Sequence, residues 1–223
     1  MSYFKQELRL LWSRLTGNYI TNKLTGNYKQ YTEIYKEAIN FKYPIVDEFL
    51  KAYKNIDEKW LNVLALQTQI TIKKSKINFQ HGKLLYSILS SYLDKTQTDI
   101  VILETGTARG FSSVVMAKVF RDLNRDNFKI YTIDFTPHTK KIYWNSISDL
   151  SGKKTRIELL DNWNEYLNNI IFLTGKTEKK LKEIKFLERI NFAFLDASHD
   201  YVSVKREFEF IRSRQIKNDI IFF

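Results

Sequence analysis

The chain has 223 residues, 43% of them hydrophobic and 15% aromatic, which excludes a disordered chain and supplies a sizeable core. Cysteine is absent, so disulfide frameworks and thiolate chemistry are excluded. Basic residues outnumber acidic ones by 36 to 25, and the excess is steeper over residues 1–98 (15 against 8) than over 99–223 (21 against 17).

A basic surface fits an anionic partner such as nucleic acid, lipid headgroups or a phosphorylated substrate. No dense basic run stands out, however, and lysines of this kind also serve as solvated faces. The N-terminus has no apolar run followed by a small-residue cleavage site. No stretch approaches the roughly 18 apolar residues of a spanning helix. The expectation is a cytoplasmic protein without a membrane span.

Residues 1–78 read as a helical N-terminal extension or cap. A short repeat, Leu15-Thr-Gly-Asn-Tyr19 and Leu24-Thr-Gly-Asn-Tyr28, supplies two turn signals, too few for a solenoid. Thr68–Ile72 is the one candidate strand there. Leu84, Leu85, Ile88, Leu89, Tyr92 and Leu93 share one face of a helix that begins near His81, where a second domain, 79–223, is expected to start. For His81, at the entry to this helix, a place over a ligand of that domain is the lesser of the readings.

From residue 99 the pattern changes. Asp99–Glu104, Lys129–Asp134, Asn169–Thr174, Ile190–Asp196 and Asp219–Phe223 are short apolar runs rich in β-branched and aromatic residues. Helical stretches at Phe111–Phe120, Thr177–Ile184 and Ser203–Arg214 separate several of them. Strands alternating with helices, each strand covered on both faces, predict an α/β fold: a Rossmann-like doubly wound parallel sheet with a helical extension. In such sheets ligands bind beyond the carboxyl ends of the strands, where Glu104, Asp134 and Asp196 all fall.

Glu104-Thr-Gly-Thr-Ala-Arg-Gly110 joins the first strand to its helix. Gly106 permits a tight turn and close ligand approach, and Gly110 lets the helix pack against the strand. A pyrophosphate cofactor would want a second glycine where Ala108 stands, and no carboxylate beside the turn. A cofactor with a cationic end and no phosphate, S-adenosylmethionine, suits Glu104 better. Asp134, 28 residues beyond Gly106, is placed to accept both ribose hydroxyls of any nucleoside cofactor.

After the fourth strand, expected beside the first, Asp196-Ala-Ser-His199 sets a carboxylate and an imidazole within four residues. They would deprotonate a hydroxyl acceptor directly or hold a divalent cation that lowers its pKa. Helix capping is the competing role for His199, and capping or packing is expected of Asp200 and Tyr201. Trp144, Trp163 and the Thr155–Leu160 segment are expected to pack rather than to contact substrate, with pairing of Arg156 to an acidic substrate group as the lesser alternative.

Ile102–Ser113, Ile130–Asp134 and Phe194–Tyr201 together resemble the class I S-adenosylmethionine-dependent methyltransferases, in the group of macrocin O-methyltransferases and cephalosporin-hydroxylase-like proteins. The resemblance runs from about His81 to Phe223. It implies that Glu104, Gly106 and Gly110 line the methionine end of the cofactor, flanked by Thr105, Thr107, Phe111 and Ser112. Asp134 and the neighbouring Phe135 would hold the ribose, Gly175 and Lys176 would lie by the adenine, and Asp196 and His199 would face the acceptor. Several relatives methylate sugar hydroxyls, some with Mg²⁺, for which Asp196 would be a ligand. Two departures stand out: Lys176 occupies a place where relatives carry an acid, and the chain stops at Phe223, where the family adds two further strands. The expectation is a fragment lacking its C-terminal strands.

The function expected is O-methylation of a small molecule or sugar hydroxyl. The alternatives are a nucleic-acid or protein methyltransferase, or a truncated, non-catalytic nucleoside-binding or interaction protein. Oligomeric state, including a homo-oligomer, is left open.

Overall fold

Each apolar run read as a strand in the second half of the chain is one. The computed structural model describes residues 23–198 and 200–223. Its strands are β1 (Ile100–Thr105), β2 (Phe128–Asp134), β3 (Ile170–Thr174), β4 (Phe192–Leu195) and β5 (Ile220–Phe222). All pair in parallel, in the order β3-β2-β1-β4-β5. Successive side chains alternate between the faces. Ile102, Ile130, Phe192 and Phe194 enter one core, while Leu103, Tyr131, Ile133, Ala193 and Leu195 enter a second core on the other side.

The first face is covered by α4 (His81–Leu93) and α5 (Phe111–Asp122). Helix α5 is buried at every position from Phe111 to Phe120, because further helices lie behind it. These are α1 (Tyr28–Asn40), α2 (Pro44–Leu50) and α3 (Glu58–Thr68). Tyr31, Leu61 and Leu64 from them are fully buried in the same core as Val114 and Phe120. Burial of each leucine contributes about 1.5–3 kcal/mol. The second face is covered by α7 (Thr177–Glu183) and α8 (Tyr201–Arg212), which contribute Leu181 and Ile211.

The second Leu-Thr-Gly-Asn-Tyr copy has a defined role: Asn27 caps α1, exchanging hydrogen bonds with Gln30 in a capping box. The first copy lies outside the described residues. Thr68–Ile72 is not a strand, a correction with a clear cause. Helix α3 runs through Thr68, whose hydroxyl donates to the Leu64 carbonyl at 2.6 Å. Ile72 then pairs with an amide side chain instead of a strand: its N–H donates to Asn145 Oδ1 at 3.1 Å and its carbonyl accepts from Nδ2 at 3.0 Å.

From β1 the chain moves outward to β2 and β3, then returns to the other side of β1 with β4 and β5. The point where this order reverses lies between β1 and β4, and a crevice opens there beyond the strand ends. Among the described residues, no helix is long and apolar enough to cross a membrane.

Candidate functional site

The turn after β1 is held in an unusual backbone path. Gly106 has φ +95°, and a Cβ there would sit 2.3 Å from the Asp196 carbonyl oxygen at the end of β4. Only glycine lets the two strand ends approach so closely. Ala108 takes φ +45°, a left-handed conformation costly for a side chain with a Cβ. Gly110, at φ +88°, is the N-cap of α5, and a Cβ there would meet the Leu160 side chain at 2.7 Å. Its packing partner is thus the segment before β3, not the strand the sequence suggested.

Beneath this turn lies Glu104, with no exposed surface. Ser112 donates its hydroxyl to Oε1, while Ser113 and Thr132 donate theirs to Oε2. Thr107 in turn donates to the Thr132 hydroxyl at 2.5 Å. Burial holds the Glu104 carboxyl above its ordinary range, and the three hydroxyls oppose that rise. Where the sequence places Glu104 toward a cofactor, this structure shows its carboxylate without exposed surface, anchoring the start of α5 to β1 and β2.

Asp134, at the end of β2, faces the opposite way. The Ala108 amide donates to Oδ2 at 2.7 Å and the Thr136 amide to Oδ1 at 2.5 Å. A carboxylate accepts about four hydrogen bonds, so two sites remain for a ligand. Arg156 stands 3.8 Å behind Oδ1 and is 1% exposed. Its guanidinium donates to the Ala108 carbonyl at 3.0 Å and to that of Thr136 at 3.2 Å, and it packs against the Trp144 and Phe172 rings. Burial lowers its pKa to about 10, leaving it charged at neutral pH. Arg156 therefore clamps the two loops that carry the Asp134 amides, in line with the packing role expected of its segment.

A cavity of about 1070 Å³ opens at the switch point. Of the residues expected at the site, Gly106, Asp134, Phe135, Gly175, Lys176 and Asp196 line it. Gly175 is tied to β2 by its amide, which donates to the Asp134 carbonyl at 2.8 Å. Glu104, Thr105, Thr107, Gly110, Phe111 and Ser112 do not line it. These six are buried, and they build the wall behind the turn. His199 lies outside the described residues. Asp200 caps α8, its Oδ1 accepting from the Ser203 amide at 3.0 Å.

His81 is not over the cavity. Its ring packs edge-on against Phe111 at 5.1 Å and stacks with Phe194 at 6.2 Å, and burial lowers its pKa to about 4. Among the described residues, no three His, Asp or Glu side chains come together to hold the suggested divalent cation.

Sequence reasoning missed Arg109, Glu178, Lys182, Lys185, Arg206 and Glu207 on the cavity wall, and two of them make hydrogen bonds that fix its shape. Arg109 donates through Nε to the Trp144 carbonyl at 2.6 Å, and burial brings its pKa down to about 10. Nothing in its sequence context marks it. Glu207, in α8, is 3% exposed and accepts from the Thr105 hydroxyl at 2.7 Å. A signal for it existed: Glu207 precedes the fully buried Ile211 by four residues, so an acid occupies the apolar stripe of α8.

A family described as a methyltransferase domain matches residues 103–223. No curated protein matches the chain. Among solved structures it is similar to the O-methyltransferase from Bacillus cereus in complex with SAH, at 18% identity over 79% of this chain and 70% of that one, with a TM-score of 0.49. It is also similar to the O-methyltransferase TomG from Streptomyces achromogenes in complex with SAM, at 17% identity over 79% and 69%, TM-score 0.49. A third is the SAH-bound methyltransferase PaMTH1 from Podospora anserina, at 16% identity over 91% and 72%, TM-score 0.47.

Proposed function

The chain belongs to the methyltransferase-domain family and is an S-adenosylmethionine-dependent methyltransferase, and from that premise we propose that it methylates a hydroxyl group of a small molecule or sugar. The observation that carries the reading is the convergence of Gly106, Asp134 and Asp196 on one cavity at the switch point of the sheet. The residues fit the cofactor. Asp134 keeps two acceptor sites toward the cavity for a ribose diol, and Gly106 leaves the turn bare for close approach. Bound there, S-adenosylmethionine supplies an electrophilic methyl group on a cationic sulfur.

The chain's own residues do the rest. Asp134 fixes the nucleoside, with Arg156 holding in place the loops that donate to its carboxylate. Phe135, Gly175 and Lys176 flank the side of the cavity assigned to the base. Lys176 offers no acceptor to an adenine amine, so recognition of the base rests on packing and main-chain groups. Asp196 lines the cavity beside Gly106, and with His199, three residues on, it takes the proton from the acceptor hydroxyl as the oxygen attacks. The deprotonated hydroxyl would be the nucleophile for the methyl group that S-adenosylmethionine, held by Asp134 beside Gly106, would supply.

The resemblance to macrocin O-methyltransferases favours a sugar hydroxyl among acceptors. The experiment is incubation with methyl-labelled S-adenosylmethionine and a panel of sugars and hydroxylated small molecules, with an oligonucleotide and a basic protein alongside. Label on a small-molecule hydroxyl is expected. Label only on the oligonucleotide or the protein would replace the acceptor class.

A further inference from the structure

We propose that Glu207 receives the α-ammonium group of S-adenosylmethionine, the role that the sequence suggests for Glu104; the inference rests on the cofactor reading above. A ligand carrying a fixed positive charge into a half-enclosed cavity needs an acid there. Glu104 is unsuited, because both its oxygens accept from Ser112, Ser113 and Thr132 and it has no exposed surface. Asp134 spends its two remaining acceptor sites on the ribose diol, and Arg156 stands 3.8 Å from it to offset its charge.

Glu207 differs from both. It projects from α8 toward the end of β1, where the Thr105 hydroxyl donates to Oε2 at 2.7 Å. Thr105 immediately precedes Gly106, so the carboxylate is held against the turn over which the cofactor passes. It lines the same cavity as Gly106 and Asp196 and is 3% exposed. Among the described residues, no Lys, Arg or His forms an ion pair with it, and Oε1 accepts no hydrogen bond.

A buried carboxylate with no counter-charge is unfavourable, and burial accordingly holds the Glu207 carboxyl above its ordinary range. An ammonium group arriving in the cavity supplies the missing charge and up to three N–H donors, one of which meets Oε1. The Thr105 hydroxyl keeps the other oxygen occupied, so the side chain presents Oε1 in a fixed orientation.

The test is titration calorimetry with two ligands: S-adenosylhomocysteine, and the same thioether lacking its amine. Wild type is expected to prefer the amine-bearing ligand by at least about tenfold, as befits a charge-assisted hydrogen bond. Glu207→Gln retains an acceptor for Thr105 and loses the charge, so that preference is expected to disappear while the desamino ligand binds as before. The Thr105→Val/Glu207→Met double variant removes donor and acceptor together, a change expected to be nearly neutral for folding, and reports the same loss should the glutamine variant unfold.

Asp134→Ala separates the two layers of the argument, because it should weaken both ligands equally. If it does so while Glu207→Gln keeps the wild-type preference, the cofactor site stands and the role of Glu207 is overturned. A preference lost in Asp196→Asn and retained in Glu207→Gln would likewise overturn it. Failure of wild type to bind either ligand would remove the cofactor reading, and this inference with it.

Discussion

Acidifying the protein should expose the cost of charging His81. The ring lies between Phe111 and Phe194, and burial lowers its pKa from 6.5 to about 4. At roughly 1.4 kcal/mol per pH unit, that depression corresponds to about 3 kcal/mol, and to about 2 kcal/mol if the partly exposed edge of the ring retains some hydration. Because the folded state favours the neutral ring, the contribution is fully present above pH 6.5 and is lost as pH falls from there through about 4. His81→Phe keeps an aromatic ring between the same neighbours and does not titrate. Urea unfolding of both proteins between about pH 7.5 and pH 4 isolates the effect, since carboxylates titrating elsewhere cancel in the difference. Wild type should lose about 2–3 kcal/mol relative to the variant over that range. Parallel stability curves would refute the assignment of His81 as a neutral packing residue.

Other substitutions probe the walls of the site. Arg156→Lys replaces a planar fork with a single ammonium that cannot reach the carbonyls of Ala108 and Thr136 together. It should cost about 1.5–3 kcal/mol, seen as a fall in Tm of several degrees, together with weaker S-adenosylhomocysteine binding. Gly106→Ala forces a Cβ to within 2.3 Å of the Asp196 carbonyl oxygen at φ +95°, so destabilisation of at least about 2 kcal/mol is expected in urea titration. Ala108→Gly relieves a left-handed alanine on an exposed turn and should stabilise the protein by about 0.5 kcal/mol after the entropy of the unfolded chain is counted. A fall in its urea midpoint would contradict the strain.

The sheet was legible because each strand carries its own signal. Ile100–Thr105 and Phe128–Asp134 are apolar runs ending beside turn residues, and burial on both faces makes them stand out from their flanks. Asp134 and Asp196 were legible for the same reason, since strand ends in a parallel sheet define where a ligand sits. The fate of Glu104 was hidden. Only when α5 folds back over β1 do Ser112 and Ser113 reach its oxygens, and only strand pairing brings Thr132 beside it. The same holds for Arg156, whose partners lie 48 and 20 residues away in sequence, and for Glu207, whose partner Thr105 is 102 residues distant. Thr68–Ile72 misled because β-branched residues also suit an irregular segment when a side-chain amide, here that of Asn145, satisfies the backbone.

The central claim is that Asp134 grips the ribose of an adenosine cofactor in the cavity between β1, β2 and β4. Calorimetric titration of S-adenosylhomocysteine into wild type and Asp134→Ala tests it most directly. The account predicts saturable binding that the substitution weakens at least about tenfold, the loss of charge-assisted hydrogen bonds to two hydroxyls. Equal affinity in the two proteins, or no binding to wild type alongside tight binding of NADH, would contradict it.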